Sequence, residues 1–113
     1  MRSAFAREAV YVRSAAGLSG ADVARATGVR PSTVRSWFAQ TRSPARPRAA
    51  ERLVELAALV ERLTRVMAPD YVAVWLRKPN PALDDGKPLD VIRKGGYVKV
   101  SRIVAALESP PAV

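Results

Sequence analysis

The sequence predicts an all-α fold, with short helices towards both ends of the chain and one long helix between them. Five of the nine prolines stand where a helix could begin, since proline suits the first helical turn and is excluded from a helix interior. Apolar residues recur at spacings of three and four, and no segment shows a convincing strand pattern. No proline interrupts residues 48–68, so the long helix is expected there.

Three short helices are expected first, over residues 3–16, 19–27 and 31–40. The apolar stripe of the first contains Phe5, Ala9, Val12 and Ala16. Gly17 is expected to end this helix. Ser19 and Asp22 form a capping-box pattern at the start of the second helix, and Gly28 ends it. Pro31 opens the third.

The remaining elements are expected over residues 47–67, 69–78, 80–86, 88–94 and 97–107. The first of these is the long helix, and the segment 80–86 is a single helical turn that ends at a glycine. Pro69 and Asp70 open the helix that Arg77 and Lys78 close, with acid first and base last as the helix dipole favours. The C-terminal part is therefore predicted to be a cluster of short helices.

The chain carries a strong and uneven positive charge. Its 19 Lys and Arg against 10 Asp and Glu give a net charge of +9. No acid stands between Asp22 and Glu51. The arginines in that window are Arg25, Arg30, Arg35, Arg42, Arg46 and Arg48. A local excess of this kind indicates a polyanionic partner.

The residue types that are absent limit the chemistry. The chain has no cysteine and no histidine, which excludes disulfides, thiolate nucleophiles, imidazole bases and the usual zinc ligands. Asp84, Asp85 and Asp90 could in principle hold a divalent cation, but Asp-Asp-Gly more commonly forms a turn. We therefore expect no enzyme, no metal and no cofactor. The sequence shows neither a membrane-spanning run nor a signal peptide, so we expect a cytoplasmic protein with no membrane partner.

Four residues in the N-terminal part follow the spacing of a helix-turn-helix. Ala24, Gly28, Val34 and Trp37 stand four, six and three residues apart. A small alanine lets two helices cross closely, glycine permits a positive φ in the turn, and the last two residues seat the second helix on the first. The pattern resembles that of bacterial repressors of the Xre and Cro type, which implies binding to double-stranded DNA.

The same resemblance implies that residues 31–40 form a recognition helix in the major groove. The base-reading residues carried over to matching positions are Ser32 and Ser36, with Arg35 beside them. The expected phosphate contacts are Arg30, Thr33, Gln40, Thr41 and Arg42. The alternative is that the hydroxyl residues are merely solvated and that the arginines reflect a composition bias. Trp37 and Phe38 are expected in the core rather than stacked on bases.

The long helix carries an apolar seam. Its members are Leu53, Leu56, Val60, Leu63 and Met67, flanked by Val54, Ala57 and Val66. We favour a partner helix within the same chain, because a broad stripe suits a globular core better than a zipper. Dimerisation through part of this surface stays open, since helix-turn-helix proteins usually need two copies to reach two half-sites. The expected assembly is a homodimer or a hetero-oligomer with a protein partner.

The segment after residue 68 has a distinctive order of short motifs. Trp75 and Leu76 are followed by PNPAL, GKPLD and GGY before the closing helix. This order resembles the toxin-binding domain of Xre/MbcA/ParS-type antitoxins, in which a helix-turn-helix precedes that domain as it does here. The expected regions are then a DNA-binding region at 1–46, a connecting helix at 47–68 and a toxin-binding domain with an extended tail at 69–113.

The resemblance implies a type II toxin–antitoxin pair. The partner in that family is usually a RES-domain toxin that consumes NAD, and the C-terminal region of the antitoxin covers the toxin's active site. Binding to the promoter of its own operon would supply autoregulation, often strengthened by the bound toxin. The alternative is a stand-alone Xre-like transcriptional regulator whose C-terminal helices only form a dimer.

Most residues of the C-terminal motifs have structural roles that need no partner. Trp75 and Leu76 are expected in the core, and residues 79–83 and 86–89 shape turns and helix starts. Toxin contact is expected from the exposed face of the last helix and from the tail, because a chain end can enter a cleft too narrow for a helix. These residues are Lys99, Arg102, Ser109, Pro110, Pro111, Ala112 and Val113. Chain ends often lack a fixed structure, so the alternative is a tail that takes no part.

Overall fold

The computed structural model describes residues 4–41 and 46–109, with side chains from Arg7 onwards, so Ser3 and the side chain of Phe5 lie outside the described part. The helices are α1 (Ala4–Ala16), α2 (Gly20–Thr27), α3 (Pro31–Phe38), α4 (Pro47–Leu63), α5 (Pro69–Arg77), α6 (Pro88–Arg93) and α7 (Tyr97–Glu108), with a 3-10 turn at Pro81–Leu83. The described residues form no strand, and one isolated bridge pairs Asn80 with Gly86. The predicted all-α fold is confirmed. No helix in these two ranges is long and apolar enough to cross a bilayer.

The helix starts follow the local signals in the sequence. The Ser19 hydroxyl accepts a hydrogen bond from the Asp22 N–H at 3.2 Å, and the Asp22 carboxylate accepts one from the Ser19 N–H at 2.9 Å. This reciprocal pair satisfies backbone donors that a helix start leaves free. Gly28 ends α2 with a φ of +78°, a conformation that favours glycine. Helices α3 to α6 each begin with the predicted proline.

Two helices end earlier than the sequence predicts. Helix α4 stops at Leu63 rather than near Met67, because the Arg65 and Val66 N–H groups donate to carbonyl oxygens three residues back instead of four. The Val66 N–H, for example, donates to the Leu63 carbonyl oxygen at 3.0 Å. Helix α3 stops at Phe38 rather than at about Gln40, because Gln40 has a φ of +58°, which no α-helix accommodates.

Helix α4 lies at the centre of the fold, where α1, α2, α5, α6 and α7 all pack against it. Its fully buried side chains include Leu53, Leu56, Val60 and Leu63. The interpretation that the seam finds its partner within the chain is therefore confirmed. Met67 is only partly buried, and Val54 and Val66 are exposed. Val54 lines a shallow groove between α1 and α4, beside Tyr11.

The turn between α5 and α6 contains several residues with special conformations. The Asn80 side chain accepts a backbone hydrogen bond at 3.0 Å and caps the 3-10 turn. Asp84 and Asp85 both have a positive φ, +55° and +64°. A Cβ at Gly86 would lie 2.9 Å from the Leu83 carbonyl oxygen, so this position requires glycine. The prediction that Asp-Asp-Gly forms a turn is confirmed.

Two ion pairs join α2 to the C-terminal helices. The Arg77 guanidinium donates to both Asp22 carboxylate oxygens, at 2.8 and 2.6 Å. Arg25 likewise donates to both oxygens of Asp90, with its Nη2 3.2 Å from Oδ2. Burial opposes ionisation of Asp22, but hydrogen bonds from Arg77 and the Ser19 N–H outweigh it, so the pKa of Asp22 lies below its ordinary value. The folded state therefore favours the charged carboxylate.

We expect Asp22→Asn to lower the free energy of unfolding at neutral pH by about 1–2 kcal/mol, because it removes the carboxylate that caps α2 and binds Arg77. This loss should shrink as the pH falls below about 4. A carboxyl with a depressed folded-state pKa stabilises the protein above its unfolded-state pKa, and that contribution disappears as the folded carboxyl protonates. Urea unfolding at about pH 7 and about pH 3 measures both effects.

The control is Asp85→Asn, because Asp85 is exposed, makes no ion pair within the described residues, and has a positive φ that asparagine also accepts. It should leave the free energy of unfolding almost unchanged at either pH. An Asp22→Asn loss of equal size at both pH values would contradict the role given to the carboxylate.

Candidate nucleic-acid interface and partner surface

Helix α3 has one apolar face in the core and one polar face towards solvent. Val34 and Trp37 are fully buried. Ser32 and Arg35 are exposed, and Ser36 is half-buried with its hydroxyl donating to the Ser32 carbonyl oxygen at 3.3 Å. The three residues predicted to read bases therefore share the side of α3 that points away from the core.

The aromatic residues near the end of α3 have structural roles. Trp37 lies in the core, and Phe38 is half-buried against it. The guanidinium carbon of Arg13 lies 4.5 Å from the centre of the Phe38 ring, a cation–π contact that joins α1 to α3. The prediction of a core residue is confirmed for Trp37, and for Phe38 only in part, because Phe38 packs against the core but stays half-buried.

The residues predicted to contact phosphates lie around both ends of α3. Arg30 is exposed at the N-cap, and Thr33 is half-buried in the first turn. Gln40 and Thr41 are exposed just past the C-terminal end. Arg42 lies outside the described residues. Polar side chains thus flank the solvent face of α3 at both of its ends.

The free positive charge around α3 is less than the sequence suggests. Arg25, one of the arginines in the acid-free window, is bound to Asp90 of α6. The hydrogen bond and the charge of Asp90 raise the pKa of Arg25 above its ordinary value. Arg30 and Arg35 are exposed, and within the described ranges neither forms an ion pair. These two residues, rather than Arg25, supply uncompensated charge beside α3.

Helix α7 and Ser109, which directly follows it, contain the described part of the predicted toxin contact. Lys99, Arg102 and Ser109 are all exposed, as expected. Arg62 fixes α7 to α4 by donating to both oxygens of the Glu108 carboxylate, at 3.0 and 2.6 Å. Pro110, Pro111, Ala112 and Val113 lie outside the described residues. The helix therefore offers two exposed cations on a firmly attached element.

Helix α5 has an exposed aromatic face that the sequence analysis missed. Leu76 is fully buried, as predicted, but Trp75 is only half-buried and faces a groove. Tyr71, Lys78 and residues 79–81 complete the lining of this groove, whose volume is about 280 Å³. The Lys78 Nζ donates to the Tyr71 hydroxyl at 3.2 Å. The prediction that Trp75 is a core residue is therefore right only for part of its side chain.

The helical spacing of α5 contains the signal that would have found this groove. Tyr71, Trp75 and Lys78 stand four and three residues apart, which places them on one face. Val72, Ala73 and Leu76 occupy the opposite face and are buried. The face with Trp75 has a tyrosine at one end and a lysine at the other. Polar groups of this kind favour the solvent side of a helix, so the spacing indicates that this face of α5 is the exposed one.

Comparison with known proteins gives a family for the C-terminal part. Residues 56–109 match the antitoxin Xre/MbcA/ParS C-terminal toxin-binding domain. The mycobacterial cidal antitoxins MbcA of Mycobacterium tuberculosis and Mycobacterium bovis are each 33% identical over 91 residues, which is 80% of this chain and 80% of theirs. A probable mycobacterial cidal antitoxin of Mycobacterium tuberculosis is 32% identical over 99 residues, covering 88% of this chain and 84% of its own.

A solved structure agrees over nearly the whole chain. A chain in the crystal structure of the Mycobacterium tuberculosis MbcT–MbcA toxin–antitoxin complex matches with a TM-score of 0.83 and 29% identity. The match covers 98% of this chain and 99% of that one, so the N-terminal helices are included. The resemblance inferred from the motif order after residue 68 is thereby confirmed. The chain belongs to the Xre/MbcA/ParS family of antitoxins.

Proposed function

We propose that this chain is the antitoxin of a type II toxin–antitoxin pair, a cytoplasmic binding protein rather than an enzyme. Its C-terminal helices bind a cognate RES-type toxin that consumes NAD, and cover the active site of that toxin. Its α2 and α3 bind the promoter DNA of its own operon. The observation that carries the proposal is the agreement over 98% of the chain with a chain of a toxin–antitoxin complex.

The toxin contact is proposed on α7 and the tail that follows it. Lys99 and Arg102 are three residues apart, so they project from one side of the helix. Both are exposed, and neither forms an ion pair with another described residue. Exposed cations of this kind suit a partner with acidic residues at its rim. The tail of residues 109–113 continues directly from this helix.

Lys99→Glu combined with Arg102→Glu should weaken the complex with the toxin by roughly tenfold or more, because two attractive charges become repulsive. Calorimetric titration of the purified toxin measures the affinity, and co-expression measures relief of growth arrest and of NAD loss. Arg7→Glu is the control, since Arg7 is exposed on α1, forms no ion pair within the described residues and lies outside the proposed contact. Equal affinities for the double variant and the unaltered chain would remove α7 from the interface.

Deletion of residues 109–113 tests the tail separately. If the tail enters the toxin's active-site cleft, the deletion should leave a complex that still forms through α7 but no longer blocks NAD consumption. Co-purification reports the complex, and NAD turnover by the purified toxin reports the block. Unchanged inhibition by the shortened chain would discard the tail as the blocking element.

The DNA contact is proposed on α2 and α3, which a three-residue turn joins. Gly28 gives this turn its positive φ, and Val34 and Trp37 bury one face of α3. The opposite side, with Ser32, Arg35 and half-buried Ser36, stays accessible to a duplex. This is the arrangement in which a helix can lie in the major groove with its N-terminal residues against base edges.

Arg35→Ala should reduce the preference for the operon's promoter over random duplex by roughly 5- to 150-fold, because a forked arginine–guanine contact contributes about 1–3 kcal/mol of discrimination. Arg30→Ala is the comparison, since Arg30 is proposed to bind phosphate. It should weaken binding to both duplexes equally and lower the slope of affinity against salt by about 0.9. Fluorescence anisotropy with both duplexes measures these quantities. An equal loss on both duplexes for Arg35→Ala would contradict the assignment of Arg35 to base reading.

A further inference from the structure

Arg93, the last residue of α6, lies across the turn that joins α2 to α3. A Cβ at Gly28 would lie 3.5 Å from the Arg93 Nε and 3.8 Å from its Cγ, which is ordinary van der Waals contact. The Arg93 side chain is nevertheless exposed, so it lies against the turn while much of its surface stays open to solvent. A residue of the C-terminal half therefore stands beside the turn that leads into α3.

The position of Arg93 is fixed by the packing of α6. Leu89 and Ile92 are buried in the shared core, and Asp90 binds Arg25 of α2. Helix α6 is therefore held rigidly against α2. Because the backbone at Arg93 is held, binding a ligand there requires ordering of the side chain alone, which limits the entropic cost.

The charges around this turn are unevenly compensated. Asp90 is the acid that α6 brings to α2, and both of its oxygens are occupied by Arg25. Arg93 forms no ion pair with any residue that the structure describes, and the same is true of Arg30, the last residue of the turn. The turn thus carries two uncompensated cations, one from each half of the chain.

The position of these two arginines relative to the start of α3 indicates which ligand they bind. Pro31, the first residue of α3, stands three residues after Gly28. The N-terminal residues of a recognition helix approach base edges in the groove, so the turn before them lies near the phosphates along the groove edge. Guanidinium groups bind phosphate oxygens through paired hydrogen bonds, with a charge that persists at all relevant pH values.

We propose that Arg93 is a phosphate contact to duplex DNA, supplied by the toxin-binding half of the chain and acting beside Arg30. This inference rests on the proposed DNA-binding function and extends the interface beyond α2 and α3. The contact is independent of base sequence, because it is made to the backbone. Residues 56–109, the part that matches a toxin-binding domain, would then take part in holding DNA.

The test is the salt dependence of DNA binding by the full chain. Arg93→Gln should weaken binding to promoter and random duplex by the same factor and lower the slope of log affinity against log salt by about 0.9, the value for one lost phosphate contact. Arg93→Lys keeps the charge and should retain the slope. Arg7→Gln removes one exposed and equally unpaired charge from α1, beside Ala58 and Glu61 of α4, and should leave the slope unchanged.

The outcomes separate this inference from the function on which it rests. A slope for Arg93→Gln equal to that of the unaltered chain would overturn the phosphate contact while leaving DNA binding intact. A loss confined to the promoter duplex would also overturn it, because that result indicates base reading. If the unaltered chain shifts no duplex at low salt, the proposed DNA-binding function fails and the inference falls with it. Thermal unfolding of each variant shows whether the fold is retained.

Discussion

The placement of the N-terminal helices against the C-terminal helices depends on the carboxylate of Asp22. It accepts the Ser19 N–H at the start of α2 and two guanidinium N–H groups of Arg77 at the end of α5. Only 9% of the Asp22 side chain is exposed, so water competes little for this carboxylate. A single side chain therefore both begins α2 and attaches it to α5, while the Arg25–Asp90 pair attaches it to α6.

The two proposed binding surfaces stand on one core. Helix α4 receives α1 and α2 from one part of the chain and α5, α6 and α7 from the other, and its buried leucines belong to a single cluster. The solvent face of α3 and the exposed face of α7 are thus held in a fixed relation. In a toxin–antitoxin assembly with more than one copy of this chain, the geometry of the toxin contact would set the spacing between DNA-reading helices.

Local features of this fold could be predicted from the sequence, because their causes are local. Proline fixes helix starts, and Ser19 with Asp22 forms a cap from residues three apart. The sequence signals for helix ends are weaker. Nothing near Leu63 in the sequence shows that some of the following backbone hydrogen bonds span three residues instead of four. The exposed side of α3 could be predicted from the helical periodicity alone, once Val34 and Trp37 were assigned to the core.

The parts that the sequence could not supply are contacts between residues far apart in the chain. Arg25 and Asp90 are 65 positions apart, and Arg77 and Asp22 are 55 apart. No periodicity or composition links such pairs, so the acid-free window could not reveal that Arg25 is neutralised. The position of Arg93 over the turn at Gly28 has the same origin, since it depends on how α6 packs on α2.

The fluorescence of Trp75 can report whether the groove on α5 is occupied. The chain has two tryptophans, and they occupy unlike surroundings: Trp37 is sealed in the interior, whereas Trp75 borders open solvent. Indole emission shifts to the blue in a dry environment, and a collisional quencher such as iodide reaches only an accessible ring. The quenchable fraction of the fluorescence therefore comes from Trp75, and a macromolecule that seats itself on the groove would shield that fraction without any label being attached.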